Sequence, residues 1–449
     1  MDMEKKKVLV VGAGKSGLGA VRLLDAAGAC VTLYDGNRDL NKETIRKQTG
    51  TLELACAFGA LPEDLGRFDL CVVSPGVPLD APDMIRIKEE GVPIWGEIEL
   101  ASRETSADIL AITGTNGKTT TTSLLYAILK EAGKTAFALG NIGTPFTLGA
   151  MEAKAGDVIA AEISSFQLET AQTFHPKISA ILNITPDHLN RHHTMEEYTQ
   201  VKERITMHQA RPDICVLNYE DDVLRKFGEE ISDHICVRYF SRKTRLPKGM
   251  YLAGEDIFLD GKKVLSASEL AILGDHNMEN VMAACLMADG YGISLETILN
   301  ACRKFEGVEH RIEFVGEIDG VTYYNDSKGT NPDAAIKAIK AMQRPTLLIG
   351  GGYDKGNTYE EWIDAFDGKV RKFLLVGQTK DDIKAAALKK GFPEKDIVLF
   401  ETFSDAVRYA GTEARAGEAV LLSPACASWG MFKNYEERGR IFKELVRNL

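Results

Sequence analysis

Residues 113–120 read Thr-Gly-Thr-Asn-Gly-Lys-Thr-Thr, after the apolar run ILAI and before the amphipathic stretch SLLYAILKEAG. A glycine-rich turn between a strand and a helix presents successive backbone N–H groups to phosphate oxygens. Lys118 is placed to neutralise the outer phosphate, and Thr119 to offer a hydroxyl to Mg²⁺. The usual spacing of such loops, GxxxxGK[ST], puts a glycine where this chain has Ile112, so the loop is a variant. The chemistry it predicts is binding and transfer from a nucleoside triphosphate.

A second loop, Gly12-Ala13-Gly14-Lys15-Ser16-Gly17, follows the run VLVV and precedes a helix pattern, with Asp35 closing the next strand. Alone it reads as an NAD(P) loop, because glycines let a diphosphate approach a helix N-terminus. The same turn serves any nucleoside diphosphate, and no hydride-transfer constellation follows it. An NAD(P) oxidoreductase and a nucleotide-switched binding protein are therefore the rival readings. Nicotinamide turnover would mark the first, and substrate-independent hydrolysis the second.

Other polar residues stand at strand ends. Glu162 follows DVIAA and precedes Ser164-Ser165, and Asp187-His188 follow AILNIT. Parallel-strand C-termini are where α/β domains place their chemistry. Glu162 and His188 are candidates to hold or orient Mg²⁺; the alternative is that loop N–H groups satisfy them. Lys202, in MEEYTQVKERI, reads by composition as a solvated helix lysine. The cluster Asp326-Ser327-Lys328-Gly329-Thr330-Asn331 is denser than a helix cap requires, although Asp or Thr as N-cap explains part of it. His310-Arg311 either brings a guanidinium to a phosphate or is an ordinary surface pair.

The elements that must position these residues alternate short apolar runs with helical patterns along the whole chain, the mark of parallel sheets with crossover helices. Asp-Gly turns predict hairpins at 260–261 and 319–320. A helical region is expected from 277 to about 305. At 449 residues the chain has room for about three domains, and the boundaries are expected at 1–98, 99–307 and 308–449. Lys and Arg number 54 against 65 Asp and Glu, a net charge of −11 that disfavours nucleic-acid and acidic-membrane partners. The eight cysteines show no paired spacing and read as reduced core residues of a cytosolic protein. No run is long enough for a transmembrane helix, and the N-terminus does not read as a signal peptide.

The two loops, in this order with HR and then NDSKGTN opening the third unit, resemble the Mur ligases of bacterial peptidoglycan synthesis. NDSKGTNPDA and LLSPACASWGMFKNYEERG resemble the members that add D-glutamate. The resemblance covers essentially the whole chain. It implies three α/β domains: an N-terminal Rossmann-like domain, a central P-loop ATPase-like domain and a C-terminal Rossmann-like domain. It further implies a cytoplasmic, ATP- and Mg²⁺-dependent amide ligase acting on UDP-N-acetylmuramoyl-L-alanine and D-glutamate through an acyl phosphate, with a monomer favoured and no nucleic-acid or membrane partner.

By the same resemblance Gly14, Lys15, Ser16, Asp35, Ser74, Pro75, Gly76, Asn141 and His188 meet the UDP-substrate. Gly114, Thr115, Asn116, Gly117, Lys118, Thr119, Thr120, Asn277, Asn280, Arg311, Asp326 and Lys328 meet ATP. Thr119, Glu162, His188 and Lys202 form the metal region, with Lys202 matching a carbamoylated lysine. Thr330, Lys355, Ser428 and the backbone at Tyr435 match the D-glutamate site. Lys118, Lys202 and His188 are the catalytic candidates, His188 as the base. The family places a basic residue two positions after the aspartate, whereas this chain has Asp35-Gly36-Asn37-Arg38, so Arg38 is not assigned as a contact.

Overall fold

The computed structural model describes residues 3–51, 53–272, 274–354 and 356–449. Among them the chain forms three sheets. The first holds β1 (Lys7–Val11), β2 (Cys30–Asp35), β3 (Ala55–Phe58), β4 (Leu70–Val73) and β5 (Ile94–Gly96), all parallel, in the order β3-β2-β1-β4-β5. Sequence neighbours diverge between β1 and β4, and that reversal opens a crevice at the strand C-termini. The loops Gly12–Gly17 and Ser74–Gly76 follow those two strands.

The second sheet holds β6 (Asp108–Thr113), β7 (Ala136–Gly140), β8 (Val158–Glu162), β9 (Ile178–Ile181), β10 (Ile214–Asn218), β11 (Cys236–Ser241), β12 (Met250–Ala253), β13 (Asp256–Leu259) and β14 (Lys262–Ser266). Their order is β14-β13-β12-β11-β10-β9-β6-β8-β7, parallel except for the antiparallel end β12-β13-β14. Central strands such as VIAAE of β8 are buried along their whole length, as expected of a parallel sheet covered on both faces. The third sheet holds β15 (Glu313–Ile318), β16 (Val321–Asn325), β17 (Thr346–Gly350), β18 (Val370–Val376), β19 (Ile397–Phe400) and β20 (Ala419–Leu422) in the order β15-β16-β20-β17-β18-β19. Only its β15-β16 hairpin is antiparallel.

The chain clusters into two compact units, residues 1–267 with 278–303, and residues 268–277 with 304–449. Both expected hairpins are present, at Asp260-Gly261 and Asp319-Gly320. The expected helical region holds two helices, Asp275–Gly290 and Leu295–Lys304, with Gly292 at a left-handed φ of +87° between them. The cysteines are all free, but Cys30 is exposed and Cys56 and Cys236 are half-buried, which corrects the core reading for those three. Cys30 and Cys236 are the first residues of their strands, and Cys56 lies on the outer strand β3. No helix among the described residues is long and apolar enough to cross a membrane.

Candidate active site

In the first unit, the candidate phosphate loop leaves β6, flanked in the sheet by β8 and β9 with Ile112 opposite Glu162 and Ala180. The loop 114–119, Glu162 and the segment 182–188 therefore all start from adjacent strand ends. Ile112 is fully buried in β6, which runs through Thr113, so the first glycine of the turn, Gly114, stands two residues later than in the usual spacing. Gly114 has φ +146° and a Cβ there would lie 3.1 Å from the Leu182 backbone. Asn183 clamps the loop, accepting from the Asn116 N–H at 2.8 Å and donating to its carbonyl at 3.1 Å.

Lys118 Nζ donates to the carbonyls of Gly114 and Thr115 at 2.8 and 3.0 Å. Lys202 Nζ donates to the same Gly114 carbonyl at 2.9 Å and lies 4.5 Å from the Tyr198 ring centre. Lys202 is 1% exposed, which overturns the solvated-lysine reading. Burial first, then the Lys118 charge, push its amine down to about 6, against a weaker opposing pull from Asp187. The Tyr198 hydroxyl meets Thr115 Oγ1 at 3.1 Å, so the helix Met195–Glu203 is tied to the phosphate loop at two points. Asn280 accepts from Thr121 Oγ1 at 3.2 Å, and its Oδ1 would lie 2.2 Å from a Cβ at Gly117. Thr119 and Thr120 are buried in the first turn of the helix Lys118–Glu131.

Glu162 is 2% exposed; its Oε1 accepts from Asn141 Nδ2 at 2.8 Å, and its Oε2 is a buried oxygen with no hydrogen-bond partner. An orphaned buried carboxylate oxygen costs free energy unless a cation or donor completes it. With the Thr119 hydroxyl it supplies the hard oxygen donors that Mg²⁺ takes. Among the described residues no group of three or more His, Cys, Asp or Glu is disposed to hold a metal, so phosphate oxygens and water would have to fill the remaining positions. His188 sits at φ +53° with half its side chain exposed, its Nε2 3.5 Å from Asp187 Oδ2 and its ring 4.9 Å from Phe166.

On the first sheet of this unit, Asp35 accepts from the N–H groups of Ala13 and Asn37 at 2.8 and 2.9 Å. Ser74 Oγ donates to the Gly12 carbonyl at 3.2 Å. Gly12 (φ +99°) and Gly17 are required by close packing, since a Cβ at Gly17 would lie 1.8 Å from the Gly12 oxygen. Gly14 and Gly76 have nothing within 4 Å of a Cβ. Their openness suits a ligand's close approach at the crevice, and Lys15 is exposed beside it. Ser16 hydrogen-bonds to buried Glu97. Arg38 lies across Gly59.

In the second unit, Asp326 is buried, accepting from Ser423 Oγ at 2.7 Å and from the Ile312 N–H at 3.3 Å. Burial pushes its carboxyl up to about 7, opposed by Ser423, Arg311 and Arg438. Lys328 Nζ stands 6.0 Å from the Tyr435 ring, and the Lys328 backbone N–H donates to the His310 carbonyl at 2.9 Å. His310 is buried and hydrogen-bonded to Asn325 at 3.0 Å, so His310-Arg311 is no ordinary surface pair. The N-cap of helix Pro332–Ala341 is Asn331, which corrects the expectation of Asp or Thr. Ser428 is buried, Thr330 half-buried, and Tyr435 opens the helix Tyr435–Arg447. Asn277 is buried three residues before Asn280 on the helix Asp275–Gly290. Lys355 lies outside the described residues.

Sequence reading missed Arg438, which is 1% exposed and donates to Ser327 Oγ and the Ser327 and Cys426 carbonyls at 2.9, 2.7 and 3.2 Å. It thereby joins two stretches named as site candidates. Asn183 and Tyr198 were missed as well. Tyr198 had a signal, since it stands four residues before Lys202 on one helix face.

Three family models match the chain: "Mur ligase MurD-like, N-terminal domain" over residues 6–96, "Mur ligase middle domain" over 112–288, and "Mur ligase, glutamate ligase domain" over 310–426. The chain is 49% identical to the UDP-N-acetylmuramoylalanine–D-glutamate ligase of Lachnospira eligens, covering 100% of both. It is 50% identical to the protein of that name from Lachnoclostridium phytofermentans, covering 100% of this chain and 99% of the relative. Among solved structures it resembles the UDP-N-acetylmuramate-alanine ligase of Thermotoga maritima, with a TM-score of 0.62 at 20% identity over 98% of this chain and 99% of that one. The MurF ligase of Thermotoga maritima, in complex with ADP, gives 0.58 at 17% identity over 100% and 97%. These two likenesses establish the three-domain fold.

Proposed function

The chain belongs to the Mur ligase family, and from that premise we propose that it joins D-glutamate to UDP-N-acetylmuramoyl-L-alanine, splitting ATP to ADP and phosphate, in the cytoplasmic synthesis of peptidoglycan precursors. The observation that carries the reading is full-length identity near one half to relatives of that name, in a chain with glycine loops at the C-termini of two different sheets. An oxidoreductase would leave the loop around Lys118 without a use.

A free carboxylate resists amine attack. The alanine carboxylate of the UDP-substrate therefore attacks the γ-phosphorus of ATP, ADP leaves, and an acyl phosphate forms. The amine of D-glutamate then adds to the acyl carbon, and the tetrahedral adduct expels phosphate as the amide forms. Lys118 meets the negative charge that moves onto the β,γ-bridge during the first step, and the loop N–H groups orient the phosphates. Bound Mg²⁺ would supply charge neutralisation at those phosphates, held by Thr119 and the open Glu162 oxygen. The ammonium of D-glutamate must lose a proton before attack, and His188, its Nε2 3.5 Å from Asp187 Oδ2, is the base we assign. Arg311, Asp326 and Lys328 are assigned to ATP; Thr330, Lys355, Ser428 and the Tyr435 backbone to D-glutamate; and the Gly12–Gly17 and Ser74–Gly76 loops with Asp35 to UDP.

We assign to Lys202 a carbamate, formed when its neutral amine attacks CO₂ and releases one proton. Support comes from the depressed amine: at about 6 it is mostly the free base at neutral pH, the form that CO₂ requires. The product is an anion with two oxygens, which sets an attractive charge beside Lys118 where a protonated amine would be repelled.

The acyl phosphate has a direct test. With ATP and UDP-substrate present and D-glutamate omitted, hydroxylamine is expected to give the hydroxamate of the alanine carboxyl, read by mass spectrometry. ADP release with no hydroxamate at any hydroxylamine concentration would remove the acyl phosphate from the mechanism.

A further inference from the structure

Arg191 stands three residues after His188 in the short helix Leu189–His192 and has no part in the assignments above. Its guanidinium is largely buried and makes four hydrogen bonds. Nη1 donates to the Pro75 carbonyl at 3.0 Å and Nη2 to the Val77 carbonyl at 3.1 Å. Nε and Nη2 donate to the two oxygens of Glu169 at 3.1 and 2.6 Å. The same group lies 4.4 Å from the ring centre of Phe166, which also meets the imidazoles of His188 at 4.9 Å and His192 at 5.6 Å. Glu169 in turn lies 3.5 Å from His192 Nδ1, and His192 Nε2 meets Ser165 Oγ at 3.0 Å.

One cation thus joins the loop after β4, on the first sheet, to the turn that carries His188 and to the Ser165–Leu168 helix after β8. The geometry fits a strut. A planar fork with donors on two edges holds two carbonyls and a carboxylate at fixed mutual distance, which an ammonium does not reproduce. Because four of its five N–H groups are committed to protein, Arg191 is not a substrate contact.

We infer that Arg191 is a positioning residue of the ligase reaction: it fixes the Ser74–Val77 loop relative to His188, and so sets how far the reacting carboxylate of a UDP-anchored substrate reaches toward the phosphate loop. This rests on the ligase reading, since a substrate held at one end by its UDP transmits any shift of that loop to its other end. Misplacing a reacting group by roughly 1 Å costs about a hundredfold in rate.

The test is steady-state kinetics of Arg191→Ala and Arg191→Lys beside the wild type, each substrate varied in turn, with UDP-substrate and ADP affinities measured by calorimetry and folding checked by thermal melting. For Arg191→Ala, kcat is expected to fall by about a hundredfold and the KM for UDP-substrate to rise by about tenfold, the ADP affinity staying at the wild-type value. Arg191→Lys keeps the charge without the fork and is expected to recover part of the rate and fold like the wild type. Unchanged kinetics in both variants, or equal losses for UDP-substrate and ADP, would overturn the strut while leaving the ligase reading intact. A wild type that forms no amide from UDP-substrate and D-glutamate would overturn that reading and the strut with it.

Discussion

Lys118→Ala is expected to reduce ADP formation by at least about a hundredfold, the cost of removing a preorganised electrostatic partner of a charged transition state. The UDP-substrate should bind with unchanged affinity. The reason is spatial: Lys118 opens the helix after β6, while the open glycines Gly14 and Gly76 stand at the C-termini of β1 and β4 in a different sheet. Lys118 Nζ donates to the Gly114 and Thr115 carbonyls of its own loop, not to the first sheet. Calorimetry with UDP-N-acetylmuramoyl-L-alanine alone and an ADP assay with all substrates separate the two effects. Joint loss of both would mean that Lys118 supports the fold of the whole unit.

Lys202→Ala is expected to lose on the order of a thousandfold in rate, and a small carboxylate such as acetate should restore part of it by occupying the space of the carbamate. The wild-type rate should also fall in buffer stripped of CO₂. Full activity of Lys202→Ala under those conditions would remove the carbamate. The same lysine gives a stability signature. Its amine is held at about 6 in the fold against 10.5 for a solvated lysine, so between those values the unfolded chain carries a proton that the folded chain lacks. Stability from this group therefore rises with pH across that window and is lost as pH falls toward 6. Lys202→Met should flatten that part of the profile in urea unfolding without CO₂.

The sheets and their hairpins were legible because buried parallel strands are short, apolar and β-branched, and because Asp-Gly marks a tight turn. The phosphate loop was legible because backbone geometry demands Gly114 and Gly117 at fixed positions. Lys202 was not, since burial of one lysine depends on where its helix docks. Here Tyr198, one turn earlier, seats that helix on Thr115. Arg191 and Arg438 were hidden for the same reason. Each is an arginine in a polar stretch with a partner more than a hundred residues away, Pro75 for Arg191 and Ser327 for Arg438. The break at Gly292 was readable in principle, because a glycine followed by Ser294 ends one helix and caps the next.

Residues assigned to the amino acid are a hydroxyl pair, Thr330 and Ser428, with Lys355 as the cation for one carboxylate. The most direct measurement is ADP and phosphate release from the unmodified protein with ATP, Mg²⁺ and UDP-N-acetylmuramoyl-L-alanine, comparing D-glutamate, L-glutamate and no amino acid, with the product identified by mass. Sustained release that requires D-glutamate, with one amide formed per ATP split, is the expected result. Release that is independent of glutamate, or equal with both enantiomers, would contradict the D-glutamate ligase assignment.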